Sequence, residues 1–351
     1  MKKTWKIVRA ALITLAAVIL FCFIYIVANE YVPLATEDVE IVRDSDTARL
    51  KSESELSILS WNVGYCGLGK DSDFFMDGGK GVKSASQDTV LKYMFGVKEF
   101  MRDRDPDIVM LQEVDTNSER TYHINERKYL TVGESAHALN YSCVFVPIPI
   151  PPIGQVNSGL FTTTDLYMDS AERISLPCPF KWPVSAANLK RCLLVSYLPI
   201  KDSSKQLVLV NLHLEAYDDG EGKIAQTKQL REFIEFEYKK GNYVIAGGDF
   251  NQVFPGGLDA FPNTHEELWS PGILDEKVLP GEDWQFAYDL ETPSCRLLNQ
   301  PYNPADTENT QHYVIDGFIL SPNIELETVE CVDLGFENSD HNPVMMEVKL
   351  K

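Results

Sequence analysis

From Leu56 onward the chain is cut into short apolar runs, most of them closed by a polar side chain, and few folds accommodate that pattern. Residues 56–61, 107–111, 142–146, 191–198, 207–212, 243–246, 313–320 and 344–350 are apolar or β-branched and too short for ordinary helices, so they read as strands. Two stretches between them carry helical spacing instead. Val90, Met94, Val97 and Met101 lie on one helical face ahead of an Asp105-Pro106 stop. Ile224, Leu230, Phe233, Ile234 and Tyr238 mark a second helix, with Gly241 as its C-terminal cap. This alternation predicts one α/β domain over residues 56–351, with no internal repeat and no long linker inside it.

The polar residues that close the runs are chemically useful ones. Asn62 ends ILSWN, Glu113 ends DIVMLQE, and His213 lies in LVLVNLHLE. Asp249 and Asn251 end YVIAGGDFN, Asp316 sits in HYVIDGFIL, and Asp340-His341 lead into the last strand as SDHNPV. Each alone has an ordinary explanation as a turn former or a hydrogen-bonded structural residue. Together they converge on one rim if their sheets pack. Oxygen donors of this kind suit a hard ion such as Mg²⁺, and two histidines supply acid–base capacity near neutral pH. That is the equipment of metal-assisted phosphoester hydrolysis.

The ordered series SWN, LQE, NLHLE, GGDFN, VIDGF and SDHNPV resembles the endonuclease/exonuclease/phosphatase superfamily, and the resemblance spans Leu56 to Leu350. It implies the DNase-I-like fold, a four-layer α/β sandwich of two packed mixed β-sheets flanked by helices. It further implies a Mg²⁺ or Mn²⁺ cofactor, with Glu113, Asn62 and Asp340 as the metal-binding group. His213 matches a histidine that contacts the phosphate or protonates the leaving oxygen. Asp249 matches the carboxylate that orients the attacking water, and Asn251 the amide that holds a phosphate oxygen. His341 matches the general base or phosphate ligand, and Asp316 the aspartate that orients it. Asn157, in QVNSGLFTT, stands where relatives send a strand into the site, and a turn-forming role suits it equally well. Two positions depart from the pattern. Gly64 stands where some repair nucleases have a further metal-binding aspartate, and Gly317 where many relatives place an arginine.

The N-terminus belongs to a different environment. Residues 10–28 carry no charge, and about 29 Å of helix from nineteen residues matches the hydrocarbon thickness of a bilayer. Lys2, Lys3, Lys6 and Arg9 precede the run, while Glu30, Glu37, Asp38 and Glu40 follow it. The positive-inside rule then predicts a cytoplasmic tail over 1–9, a single transmembrane anchor over 10–28 and an extracytoplasmic catalytic domain. Residues 29–55, polar and acidic, suit a solvated tether. The seven cysteines form no CxxC and have irregular spacing, which favours buried free thiols for most of them.

A net charge of −20 disfavours a stable nucleic-acid complex, because strand-tracking grooves need clustered cations. Arg120, Arg127-Lys128 and Lys190-Arg191 are local basic spots; Glu215, Asp218, Asp219 and Glu221 would repel an extended polyanion or simply begin a helix. The proline-rich apolar segment 146–154 could wall a substrate or touch lipid, or be a packed surface loop. The expected substrate is a phosphodiester: a lipid head group, a small organic phosphate or a nucleic acid. A catalytically silent membrane-anchored binding domain of the same fold and a nuclease secreted after signal cleavage stay open as alternatives.

Overall fold

The computed structural model describes every residue except Met1, Asp46, Asp219, Glu266 and Thr307. Two seven-stranded mixed sheets form its centre. In spatial order the first holds Thr36–Asp38, Ser170–Ser175, Cys192–Pro199, Gln206–His213, Tyr243–Asp249, Asp316–Leu320 and Gln285–Ala287. The second holds Ile324–Cys331, Val344–Leu350, Glu55–Asn62, Ile108–Asp115, Gly154–Thr164, Glu134–Val146 and Ile41–Val42.

Their inner faces share one core, where Ile58, Met110 and Leu160 meet Leu194, Leu209, Ile245 and Phe318. The outer faces are covered as well, which is why the central strands read as continuous apolar runs rather than alternating ones. Helix Gln87–Arg104 lays Val90, Met94, Val97 and Met101 on Leu59, Trp61 and Val109. Its ends are built as expected: Ser86 accepts a hydrogen bond from the Thr89 amide, and Asp105 adopts the left-handed conformation before Pro106. Helix Glu221–Lys239 sets Leu230 and Ile234 against Val208, Val210 and Val244 of the other sheet. Gly241 follows at φ +91°, its amide bonded to the Tyr238 carbonyl. Ile224, assigned to that apolar face by spacing, is exposed. The predicted four-layer sandwich is therefore the architecture found.

Register carries the chemistry to one end. Glu55–Asn62 runs parallel to Ile108–Asp115 with Asn62 opposite Gln112. In the other sheet Asp249 lies opposite His213 on one side and Asp316 on the other. A side-chain lock joins the sheets at that level: Gln112 Nε2 donates to Asn211 Oδ1 at 2.9 Å, and Asn211 Nδ2 donates to the Leu111 and Phe161 carbonyls.

The expected solvated tether over 29–55 is not free along its length. Thr36–Asp38 adds an antiparallel edge to Ser170–Ser175, Ile41–Val42 adds one to Glu134–Val146, and Leu50 bridges to Ile200. Both strands are very short, and Thr36–Asp38 is acidic, which suits a sheet edge because charge blocks further pairing; neither makes an apolar run in the sequence. The helix before this segment, Lys2–Ala28, stands exposed over most of its length and is long and apolar enough to cross a membrane. Its last turns rest on the globule: the Phe23 ring lies 5.7 Å from Trp182, Ile26 is buried, and Glu30 pairs with Lys190 at 2.9 Å. All seven cysteines are free, and only Cys22 and Cys178 are exposed.

Candidate active site

One cavity of about 460 Å³ opens at the strand ends, and Asn62, Glu113, His213, Asp249, Asn251, Asp340 and His341 all line it. Two of these residues sit on strained backbone. Glu113 has φ +58° inside a bulge of its strand, and Asn251 has φ +49° just past Asp249. Left-handed non-glycine residues persist only where the surroundings over-determine them, and both here aim a polar side chain into the cleft. Gly248 meets a different demand: a Cβ there would come within 2.0 Å of the Leu212 carbonyl oxygen, so the strand admits no side chain at that position.

The groups are wired to one another. Asn62 Nδ2 donates to Asp249 Oδ2 at 3.0 Å and lies 3.4 Å from Glu113 Oε1, while its Oδ1 accepts from the Gly64 amide at 3.0 Å. As placed, Asn62 ties the two carboxylates by donation, and its Oδ1 keeps one lone pair beyond the Gly64 bond. His213 Nε2 lies 3.3 Å from Asp249 Oδ2 and His341 Nε2 3.9 Å from the same oxygen. Behind His341, Asp316 Oδ2 holds Nδ1 at 2.8 Å and accepts from Ser294 Oγ at 2.7 Å. Asn251 Nδ2 donates to the Leu214 carbonyl at 3.0 Å, and an amide NH₂ keeps a second hydrogen for a ligand.

Burial sets the charges. It pushes the Asp249 carboxyl up to about 7, with the nearby Asp316 charge adding to the effect. It pushes Asp340 up to about 6 against the pull of His341, and Glu113 raises it further. The two histidines separate. Burial, then Arg191 and His341, hold His213 well below its usual value, so it is neutral. Burial also disfavours the charged form of His341, but the Asp316 carboxylate outweighs it and raises His341 well above the usual value.

Two ligand sets for a divalent ion present themselves. Asp249, Asp316 and His341 bring ligand atoms within 4.8 Å of one another. Asp316 Oδ2 and His341 Nδ1 are engaged with each other, however, an arrangement that suits a proton relay, although Asp316 Oδ1 has no partner. Glu113 and Asp340 share the cavity, and among the described residues neither has a lysine or arginine within ion-pair distance, so an oxygen-seeking cation fits their donor chemistry.

Asn157 is not part of this lining. Its Oδ1 accepts from Ser142 and its Nδ2 donates to the Asn117 carbonyl, while Ser158, one residue on, lines the cavity. Arg120 is engaged by Asp115 in a two-pronged pair at 2.9 and 3.0 Å and stacks over Tyr65. Asp218 is taken by the start of the following helix, where it accepts from the Gly220 and Gly222 amides and pairs with Lys223; Asp219 lies outside the described residues. Sequence reading overlooked Asn140, Tyr65, Asp77 and Arg296 as cavity residues. None stands at the end of an apolar run, the signal that marked the others.

The architecture has solved relatives. An endonuclease/exonuclease/phosphatase from Beutenbergia cavernae DSM 12333 superposes with a TM-score of 0.55 at 14% identity, covering 84% of this chain and 72% of that one. One from Bacteroides vulgatus gives 0.52 at 16% identity, covering 85% of this chain and 100% of that one. ANGEL2, a 2′,3′-cyclic phosphatase, gives 0.53 at 13% identity, covering 90% and 98%. At such identities the likeness is one of fold. No curated protein matches the sequence. The profile of the Endonuclease/Exonuclease/phosphatase family, however, matches residues 59–341 and so takes in every strand-end group from Asn62 to His341: the chain belongs to that family of phosphoester hydrolases.

Proposed function

We propose that the chain is a divalent-cation-dependent phosphodiesterase, held at a membrane by residues 10–28 with its catalytic domain on the extracytoplasmic side. The observation that carries this reading is the convergence of Asn62, Glu113, His213, Asp249, Asn251, Asp340 and His341 on one cavity. A Mg²⁺ or Mn²⁺ ion held by Glu113 and Asp340 would neutralise charge on the phosphoryl oxygens. Asp249 accepts a hydrogen bond from the attacking water and fixes its line of approach. His341, cationic against Asp316, donates to a phosphoryl oxygen; neutral His213 beside Asp249 is placed to exchange a proton with the departing or attacking oxygen. Asn251 adds an amide hydrogen to the same phosphate.

Among phosphodiesters a membrane lipid is favoured by one feature. Ile148, Phe180 and Ile153 wall the cavity, and Ile148, Ile150 and Trp182 are exposed at 72%, 94% and 60%. Trp182 touches the last turns of the apolar helix, so this rim adjoins the point where an anchored chain leaves its bilayer. The test is to assay the full chain in detergent micelles with Mg²⁺ against a chromogenic diester, phospholipid vesicles, plasmid DNA and RNA. Hydrolysis of the diester and the lipid, without nicking of DNA, is expected. Binding without turnover of any of them would favour a silent scaffold instead.

A further inference from the structure

Beside the catalytic groups, the same cavity holds a second polar cluster, of which only His213 has a role in the phosphodiesterase reading. Asn140 Nδ2, Ser158 Oγ, Arg191 Nε, His213 Nδ1 and Glu215 Oε2 are all buried and all without a hydrogen-bond partner. Their residues are between 1% and 4% exposed. Orphaned polar atoms cost free energy at such depth, and five around one cavity is more than ordinary packing leaves.

The cluster is contiguous. Arg191 Nη1 donates to the His213 carbonyl at 3.3 Å, and its Nε lies 3.7 Å from Glu215 Oε2. The neighbouring Lys190 amide donates to the Asn140 carbonyl, and Tyr141 pairs across the sheet with Ser158. A bulge at Asn140 interrupts the ladder there. Glu215 is held by its other oxygen, which accepts from the Ala216 and Tyr217 amides, so Oε2 is fixed in place facing Arg191 with no hydrogen bond of its own.

Opposite charges that stop just short of a hydrogen bond make a nearly neutral pair with one spare donor and one spare acceptor. A second phosphate would meet Glu215 unfavourably, and an ammonium group would meet Arg191 unfavourably. A vicinal diol satisfies both: one hydroxyl donates to Glu215 while its neighbour accepts from Arg191, and Asn140 and Ser158 complete the set. We infer that this cluster is a subsite for a hydroxylated substituent on the scissile phosphate, so that the substrate is a polyol phosphodiester. The inference rests on the phosphodiesterase reading for its reaction, though not for its binding.

The experiment compares 4-nitrophenyl glyceryl phosphate with 4-nitrophenyl propyl phosphate, which differ only in the two hydroxyls, using the full chain in micelles with Mg²⁺. The glyceryl ester should show kcat/KM higher by about tenfold or more, since a site built for hydroxyls rejects the analogue lacking them. Glu215→Gln keeps the oxygen that binds the two amides but replaces the open acceptor with a donor. It should erase the preference, read as the ratio of kcat/KM on the two esters, and Ser158→Ala should erase it in part. Equal rates on both esters would overturn the subsite and leave the phosphodiesterase reading standing. If neither ester is cleaved, that reading fails, and thermal shift with glycerol 1-phosphate against propyl phosphate decides the subsite. A shift confined to the glycerol compound and lost in Glu215→Gln supports it; equal shifts, or none, reject it.

Discussion

The two halves of the cavity are finished to different degrees. On one side Asn62, Asp249, Asp316 and His341 are joined by hydrogen bonds that leave only Asp316 Oδ1 without a partner, with Ser294 behind them. On the other side Asn140, Ser158, Arg191 and Glu215 keep buried atoms without partners. Reacting groups must stand in position before the substrate arrives, so their hydrogen bonds are made within the protein. Groups that recognise a ligand keep theirs for it. The same degree of burial therefore has opposite consequences across a single cleft.

The largest effect should come from breaking the closed half. His341→Ala or Asp249→Ala is expected to lower turnover of a phosphodiester by about a thousandfold. Unfolding should stay cooperative, because both side chains line the cavity rather than the core between the sheets. Near-normal turnover of either variant would end the catalytic assignment. Removing divalent ions with EDTA should silence the wild-type chain, and Mg²⁺ or Mn²⁺ should restore it; full activity under chelation would dismiss the roles given to Glu113 and Asp340. Asp316→Asn is a finer cut, with a loss of about a hundredfold expected. Because the Asp316 carboxylate raises His341, the variant imidazole should titrate lower in a metal-free NMR titration. An unmoved titration would show that Asp316 acts on something else.

Legibility in the sequence followed the same divide. The closed half could be read because each member ends an apolar run, and strand ends are where an α/β fold gathers chemistry. The open half could not. Asn140 sits in a bulge, and Ser158 is one residue from Asn157; in a strand such a slip moves the side chain to the other face. The strand that carries Asn157 and Ser158, Gly154–Thr164, is not among the apolar runs because buried Ser158 and Thr162–Thr164 break up the apolar signal of Val156, Leu160 and Phe161. Thr163 donates to the Glu134 carbonyl and Thr164 to the Asp107 carbonyl, so they satisfy themselves without an apolar signature. Ile324–Cys331 was missed for the opposite reason: its acidic residues face water at a sheet edge. Nor does composition show that residues 36–50 are sewn to both sheets, since edge pairing uses backbone and asks little of side chains.

The smallest effect lies behind the open half, and it concerns stability rather than turnover. His137 shares a strand with Asn140 and sits near Phe161, with Nε2 3.4 Å from the Val114 carbonyl. Burial, reinforced by the Arg127 charge, lowers its imidazole to about 4. A histidine in the unfolded chain takes up its proton near pH 6.5. Between those values the unfolded state binds more protons than the folded one, so stability falls as pH drops through the window and is fully present above it. Allowing for its partial contact with water, His137 should account for a loss of about 2 kcal/mol from pH 6.5 down to its folded value. Denaturant melts of wild type and His137→Gln across that window measure it. The variant should lose its share of the acid slope, so that its stability relative to wild type rises by about that amount towards low pH. Parallel curves would mean that His137 is charged in the folded chain, and that the strand behind the open half is wetter than its packing indicates.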